Sequence, residues 1–146
     1  MGEKETIMRR PTPINEEYEF SDGIIVSSTD LKGIITYANR KFCEIADYTK
    51  KELTGKNHNV IRHPDMPKAA FEELWDTLHK GKSWSGLVKN LRKDGKYYWV
   101  STHITPIKDN SGKVIGYTAA RRPANKEEVK EVIPVYKDML LKEKNK

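Results

Sequence analysis

The sequence predicts an α+β fold in which a five-stranded antiparallel sheet carries short helices on one face. The first observation is the order of segments: two β-branched runs, several short helical segments, three further β-rich runs and a terminal helix. The second is that hairpin-length turns join successive runs, which makes neighbouring strands antiparallel. We expect an N-terminal arm over residues 1–20, a folded domain over 21–124 and a C-terminal helix over 125–146.

Glycine-containing turns mark the ends of the predicted strands. Asp94 and Gly95 form a strong hairpin signal between two β-rich runs. Similar turns occupy residues 30–33 and 109–112. The predicted strands are Gly23–Ser28, Ile34–Tyr37, Ser83–Arg92, Tyr97–Ile107 and Val114–Arg121. A concave sheet of this kind, covered by short helices, can enclose a small-molecule pocket.

Helix signals lie between the second and third strands. Asn39 is a candidate N-cap, and Thr49 with Glu52 matches a capping box. A longer helix opens at Pro67 and ends at Gly81. Apolar residues at i, i+3, i+4 and i+7 predict one buried face on it, formed by Phe71, Leu74, Trp75 and Leu78.

Both ends of the chain carry their own signals. Pro11 and Pro13 predict an extended arm, which we expect to finish in a short helix at Glu16–Phe20. Asn125 is a good N-cap for the terminal helix, whose apolar stripe must be buried against its own sheet or another protein. Pro134 falls inside the stripe and should kink or split this helix.

Composition excludes several classes of protein. The single cysteine, Cys43, rules out an internal disulfide and a cysteine-based zinc site. No run approaches the ~18 apolar residues of a membrane span, and the N-terminus lacks the apolar core of a signal peptide. We therefore expect a cytoplasmic protein without direct membrane insertion.

The net charge of +6 would fit a nucleic-acid partner, but its distribution argues against one. The excess positive charge lies within residues 21–125, spread over turns and strand edges, where it solvates the surface. Such charge suits an anionic cofactor phosphate or an acidic partner equally well. We expect no nucleic-acid partner.

One stretch is more specific than the order of segments. Residues 58–71 continue through Leu74 and Trp75 to the segment Trp84–Asn90. This stretch closely resembles the N-terminal PAS domain of bacterial aerotaxis (energy taxis) receptors, and the resemblance covers about residues 21–124. It implies a PAS fold, bound FAD, and a redox or oxygen sensor in energy-taxis (chemotaxis) signal transduction.

The resemblance also implies a partner, a chemoreceptor signalling domain in the same chain or a separate one. The 146 residues contain no membrane span and no signalling domain. We expect either a fragment or a stand-alone sensor subunit acting on a membrane-bound transducer, and we favour the second. A homodimer is compatible with both arrangements.

A flavin requires apolar walls, amide or hydroxyl partners for its polar edge, and donors for its phosphates. Trp75 and Trp84 fit the walls, and Asn90 on a strand offers both a donor and an acceptor. Arg62 can fork onto a phosphate or onto Asp65, which can instead cap the following helix. The candidate cofactor residues, several of them from the resemblance, are Asn39, His58, Arg62, His63, Asp65, Trp75, Trp84 and Asn90.

The chain also resembles light-oxygen-voltage domains, which form a thioether from a cysteine before the long helix. His58 stands nearest that position, Cys43 lies elsewhere, and Arg121 or a neighbour replaces the last-strand glutamine. Adduct photochemistry is therefore not expected.

Three alternatives stay open at this stage. FMN could replace FAD. A haem gas sensor would need an axial ligand, for which the candidates are His58, His63, His79 and His103. A cofactor-free interaction module would have a closed, colourless core. An enzyme is not expected, because no nucleophile with a paired base, acidic pair or glycine-rich phosphate loop is present.

Overall fold

Five antiparallel strands form the platform of the domain. The structure is a computed structural model that describes residues 10–145. Its strands are β1 (Ile25–Thr29), β2 (Ile35–Ala38), β3 (Trp84–Leu91), β4 (Tyr97–Lys108) and β5 (Val114–Pro123). They are ordered β2-β1-β5-β4-β3, and every neighbouring pair is antiparallel. The predicted α+β sheet is confirmed.

Four α-helices and one 3-10 helix complete the fold. They are α1 (Arg40–Ala46), α2 (Lys50–Leu53), the 3-10 helix His58–Ile61, α3 (Lys68–His79) and α4 (Lys126–Lys144). The predicted caps form as expected, since the Asn39 side chain accepts from the Phe42 amide and Thr49 forms its capping box with Glu52. Pro134 lies inside α4, which runs without a break from Lys126 to Lys144, so the predicted division of this helix does not occur.

The inner face of the sheet packs against α1, α2, α3 and the 3-10 helix. Because side chains alternate along a strand, one set of residues on each strand points toward these helices. The most deeply buried apolar side chains include Ile25, Ile35, Phe42, Leu53, Ile61, Leu78 and Val100. Polar residues share this interior, namely Ser27, Asn90, Thr102 and Arg121.

The described part of the arm is extended, so the helix expected at Glu16–Phe20 is wrong. The Tyr97 amide donates to the Glu16 carbonyl at 3.1 Å, and the Tyr18 amide donates to the Tyr97 carbonyl at 2.8 Å. The pairing between β4 and β5 begins only at Val100, so Tyr97 has free backbone groups to offer. Pairing with this strand end overrides a weak local helix signal.

Within residues 10–145, no helix is both long and apolar enough to cross a bilayer.

Candidate functional site

A cavity of about 410 Å³ lies between the inner face of the sheet, the 3-10 helix and α3. This volume falls within the ~300–1,000 Å³ of small-molecule sites. Its apolar wall includes Ile61, Phe71, Leu74, Leu78, Val88 and Ile104. Its polar residues include Ser27, His58, Arg62, Asn90, Thr102 and Arg121. The core of the described residues therefore contains a cavity at its centre and is not completely filled by side chains.

The guanidinium of Arg121 is the most deeply buried charge among the residues that line this cavity. It donates to Ser27 Oγ at 3.1 Å and to His58 Nε2 at 2.5 Å. No carboxylate of the described residues pairs with it. Burial lowers the pKa of Arg121 to about 10, so it remains charged near neutrality. A buried cation without a counter-charge is costly, and an anion or strong acceptor in the cavity would relieve that cost.

His58 is the neutral partner of this cation. Burial, reinforced by the charge of Arg121, holds the pKa of His58 well below its usual value. Nε2 accepts the hydrogen bond from Arg121, so the proton of the neutral ring resides on Nδ1. The ring also stacks on Phe42 with a centroid distance of 5.7 Å, which fixes its orientation.

Several buried polar groups around the cavity lack protein partners. Arg62 Nε and Thr102 Oγ1 are buried without a hydrogen bond to any described residue. The guanidinium of Arg62 lies over the ring of Phe71, 3.6 Å from its centroid. Asn90, whose carboxamide interacts with the Tyr98 hydroxyl, is 3% exposed and lines the same space. Since buried polar groups are nearly always hydrogen-bonded, this set fits a ligand that presents both donors and acceptors. A flavin ring meets that description.

His63 and Asp65 lie outside the cavity lining. His63 Nδ1 accepts from the Asp65 amide at 3.0 Å, and the Asp65 carboxylate pairs with Lys89 Nζ at 2.8 Å. Burial, and then the charge of Lys89, lowers the pKa of His63 to about 4. Burial opposes ionisation of Asp65, but the hydrogen bond from Lys89 prevails and lowers its pKa. This arrangement braces the loop that carries Arg62, and direct cofactor contact by His63 or Asp65 stays a prediction.

The two candidate tryptophans occupy different positions. Trp75 lines the cavity and meets the ring of Tyr117 edge-on, with centroids 5.5 Å apart. Trp84 is buried beyond the lining, where its ring lies against Gly86. Its Nε1 has no hydrogen-bond partner within residues 10–145. Trp84 does not line the cavity, and its assignment to the cofactor stays a prediction.

Asn39 has a local role that accounts for its contacts. Its Oδ1 accepts from the Val26 and Phe42 amides, each at 3.0 Å, and its Nδ2 donates to the Ile24 carbonyl at 3.0 Å. These bonds tie the start of α1 to β1. Asn39 is not part of the cavity lining, and its assignment to the cofactor is not supported by this geometry.

Arg121, Ser27 and Thr102 were not among the predicted cofactor residues. The sequence did contain a signal for the position of Arg121. This residue follows Tyr117 and Ala119 at intervals of two residues, which places the three side chains on one face of the strand. An arginine on the buried side of a central strand requires an explanation.

A surface groove of about 400 Å³ adjoins the cavity. Arg62, Phe71, Trp75 and His79 line both spaces, so the two meet along one side of α3. The outer part of the groove is formed by Lys68, Glu72 and Asp76. The cavity and the groove thus lie next to each other along α3, and the groove presents cationic, aromatic and acidic side chains.

Comparisons with known proteins agree with this architecture. The chain is 49% identical over 116 residues to the aerotaxis receptor of Escherichia coli (strain K12), covering 80% of this chain and 23% of that protein. It is 32% identical over 99 residues to the nitrogen fixation regulatory protein of Klebsiella pneumoniae, covering 68% of this chain and 20% of that protein. The chain thus spans less than a quarter of these relatives.

Solved structures share the fold at lower identity. The light-state structure of the Aureochrome1 light-oxygen-voltage domain superposes with a TM-score of 0.66 at 22% identity, covering 84% of this chain and 91% of that one. A PAS domain from Colwellia psychrerythraea gives 0.65 at 23% identity, covering 70% and 87%. The family profile described as PAS fold matches residues 35–121. The chain belongs to the PAS family and is a PAS domain of the aerotaxis receptor type.

Proposed function

We propose that this PAS domain binds a flavin in its central cavity and reports redox state to a transducer in energy taxis. The observation that carries the proposal is Arg121, a buried cation facing the cavity with no carboxylate partner among the described residues. The resemblance to aerotaxis receptors implies FAD. A neighbour of the same fold, a light-oxygen-voltage domain, is described with a flavin analogue.

Each part of a flavin has a matching group in this chain. Phe71 and Trp75 offer flat walls, and the Asn90 carboxamide offers a donor and an acceptor to the polar edge of the ring. Arg121 and Thr102 offer further donors from the sheet. The adjoining groove has room for a phosphate-linked extension of the ligand, with Arg62 and Lys68 as the phosphate donors and Glu72 and Asp76 as the groups such an extension would have to avoid. This continuity favours FAD over the shorter FMN.

The mechanism rests on how the residues around the ring respond to charge. Reduction of a flavin adds electrons and protons to its ring system and so changes its charge and hydrogen-bonding pattern. Arg121 stays protonated near neutrality and can stabilise added negative charge. If its guanidinium turned toward that charge, His58 Nε2 and Ser27 Oγ would lose their present donor. The two redox states would then favour different conformations, as a signal requires.

Haem is a poorer fit to this cavity. His58 Nε2 is engaged by the Arg121 guanidinium at 2.5 Å, so axial ligation would first have to break that bond. His79 lies at the exposed mouth beside Trp75 and not in the interior.

The relatives are named as a receptor and a regulatory protein, which supports a role in signalling for this domain. We propose that its partner is a membrane-bound chemoreceptor-type transducer and that it acts from the cytoplasm, alone or as a homodimer. Sensing by this route involves no turnover of a substrate.

The visible absorption spectrum of the freshly purified full chain tests the proposal. We expect flavin bands that bleach on reduction, and FAD on chromatography of the released cofactor. Asn90→Ala should weaken flavin binding about tenfold, because a buried hydrogen bond is worth about 0.5–1.5 kcal/mol and its loss leaves partners unsatisfied. Asn110→Ala, in the exposed turn before β5, is the matched control. A colourless chain that takes up neither FAD nor FMN would contradict the proposal, and a Soret band would replace it with a haem sensor.

A further inference from the structure

The last turn of α4 caps another helix of the domain. The two carboxylate oxygens of Glu143 accept hydrogen bonds from the Lys68 and Ala69 amides at 3.0 and 2.9 Å. These amides open α3, and Pro67 at the N-cap position of α3 provides no side-chain cap. A carboxylate at a helix N-terminus is favoured by both hydrogen bonding and the helix dipole. Glu143 therefore supplies from a distance the cap that α3 lacks.

A second contact fastens the middle of α4 to the sheet. The Tyr136 hydroxyl donates to the Leu87 carbonyl on β3 at 2.6 Å. Its ring stacks on Trp99 of β4, with a centroid distance of 6.3 Å and an interplanar angle of 17°. Outside these contacts α4 is thinly attached, and none of its residues is fully buried. The helix is thus held at a few defined points.

Both attachment points belong to elements that line the cavity. On α3, Phe71 and Trp75 follow the capped amides within the first two turns and face the cavity. On β3, Leu87 directly precedes Val88, whose side chain faces the cavity from the other side of the strand. A displacement of α3 or β3 by a cavity ligand would therefore act directly on the contacts of Glu143 and Tyr136.

We propose that α4 is a releasable latch, held by Glu143 on α3 and Tyr136 on β3, whose docking depends on the redox state of a flavin in the cavity. The redox dependence rests on the proposed function, whereas the latch itself does not. Opening of the latch frees the C-terminal end of α4 and the N-terminus of α3 together. It converts a change inside the cavity into a change at the surface that a transducer can read.

Hydrogen exchange of the full chain, measured by NMR without flavin, tests the latch alone. Glu143→Ala should speed exchange of the Lys68 and Ala69 amides and of the last turns of α4 by about ten- to hundredfold, because hydrogen bonds to a charged group are stronger than those between neutral groups. Glu143→Gln, which retains the shape, should have an intermediate effect. Glu131→Gln, an exposed glutamate on the same helix, is the matched control and should leave these rates unchanged. Equal rates in all variants would overturn the latch.

The same measurement on the flavin-loaded chain, oxidised and then chemically reduced, tests the coupling. We expect exchange in α4 and at the start of α3 to differ between the two states in the parent chain. Glu143→Ala should exchange quickly in both. If flavin binds and bleaches on reduction but the exchange rates of α4 are the same in both redox states, the coupling is wrong and the proposed function is unaffected. Failure to bind flavin would instead count against the proposed function, without affecting the result obtained in its absence.

Discussion

Two histidine clusters lie close together in the sequence but on opposite sides of the cavity wall. His58 accepts from Arg121, whose charge faces the cavity and meets no carboxylate within the described structure. His63 belongs to a cluster in which Lys89 is paired with Asp65 at 2.8 Å. The first cluster therefore carries the positive charge of Arg121 without a carboxylate to pair with it among the described residues. In the second cluster, the charges of Lys89 and Asp65 neutralise each other.

This difference distinguishes residues that can contact a ligand from residues that only hold a loop in position. An uncompensated buried cation is retained against a large desolvation cost, so a bound partner is the natural explanation. A surface ion pair carries no such cost and holds a loop in place for a small gain. The predictions below test whether the two clusters do have these different roles.

The largest effect is expected from Arg121→Gln. Loss of a charge-assisted hydrogen bond should weaken flavin binding about ten- to hundredfold, the equivalent of about 1.5–3 kcal/mol. The empty domain should be no less stable, because removal of the buried charge offsets the lost bonds to Ser27 and His58. Flavin titration and urea unfolding measure the two quantities on one variant.

The adjacent Arg122, which is exposed on the other face of β5, provides the control Arg122→Gln. Binding that survives in Arg121→Gln, or is lost equally in both variants, would remove Arg121 from the site. A marked loss of stability without flavin would show that its role is structural.

The second prediction concerns acid stability. Both His58 and His63 have lowered pKa values in the folded state, His63 to about 4, so the unfolded chain binds more protons below pH ~6.5. The free energy of unfolding should therefore fall as the pH drops from about 6.5 toward 4, by at most about 1.4 kcal/mol per pH unit for each histidine. Urea unfolding of the flavin-free chain across this range measures the slope.

His58→Gln should make that slope shallower, because it removes the buried imidazole that binds a proton only in the unfolded chain. The carboxylates with lowered pKa values, such as Asp65 and Asp94, also destabilise the fold below about pH 5, but they are present in both chains, so the difference between the two slopes reports on His58. A slope that is the same in His58→Gln as in the parent chain would contradict the buried neutral state of His58.

The sequence was informative wherever a structure depends on neighbouring residues. The caps at Asn39 and Thr49 and the Asp94–Gly95 turn formed as predicted, because each is set by a few consecutive residues. Period-two and helical patterns located all five strands and the long helix.

The features that could not be predicted from the sequence depend on contacts between distant parts of the chain. The segment from His58 to Asp65 has no single periodicity, so which side chains would face the cavity could not be read from spacing. The cap on α3 joins residues 75 positions apart, and the arm at Tyr18 pairs with a strand end far along the chain. Contacts of this length leave no local signal.

The smallest effect is expected from Asp65→Asn, which keeps the shape of the side chain and removes its ion pair with Lys89. The Asp65 side chain is 61% exposed, so its loss should lower the free energy of unfolding by at most about 1 kcal/mol. If Asp65 only braces the Arg62 loop, flavin binding should weaken by no more than about fivefold, well below the effect of Arg121→Gln. Asp22→Asn, at an exposed position before β1, controls for the loss of one negative charge. Loss of flavin as complete as in Arg121→Gln would mean that Asp65 contacts the cofactor, and that the loop closes onto it when the flavin binds.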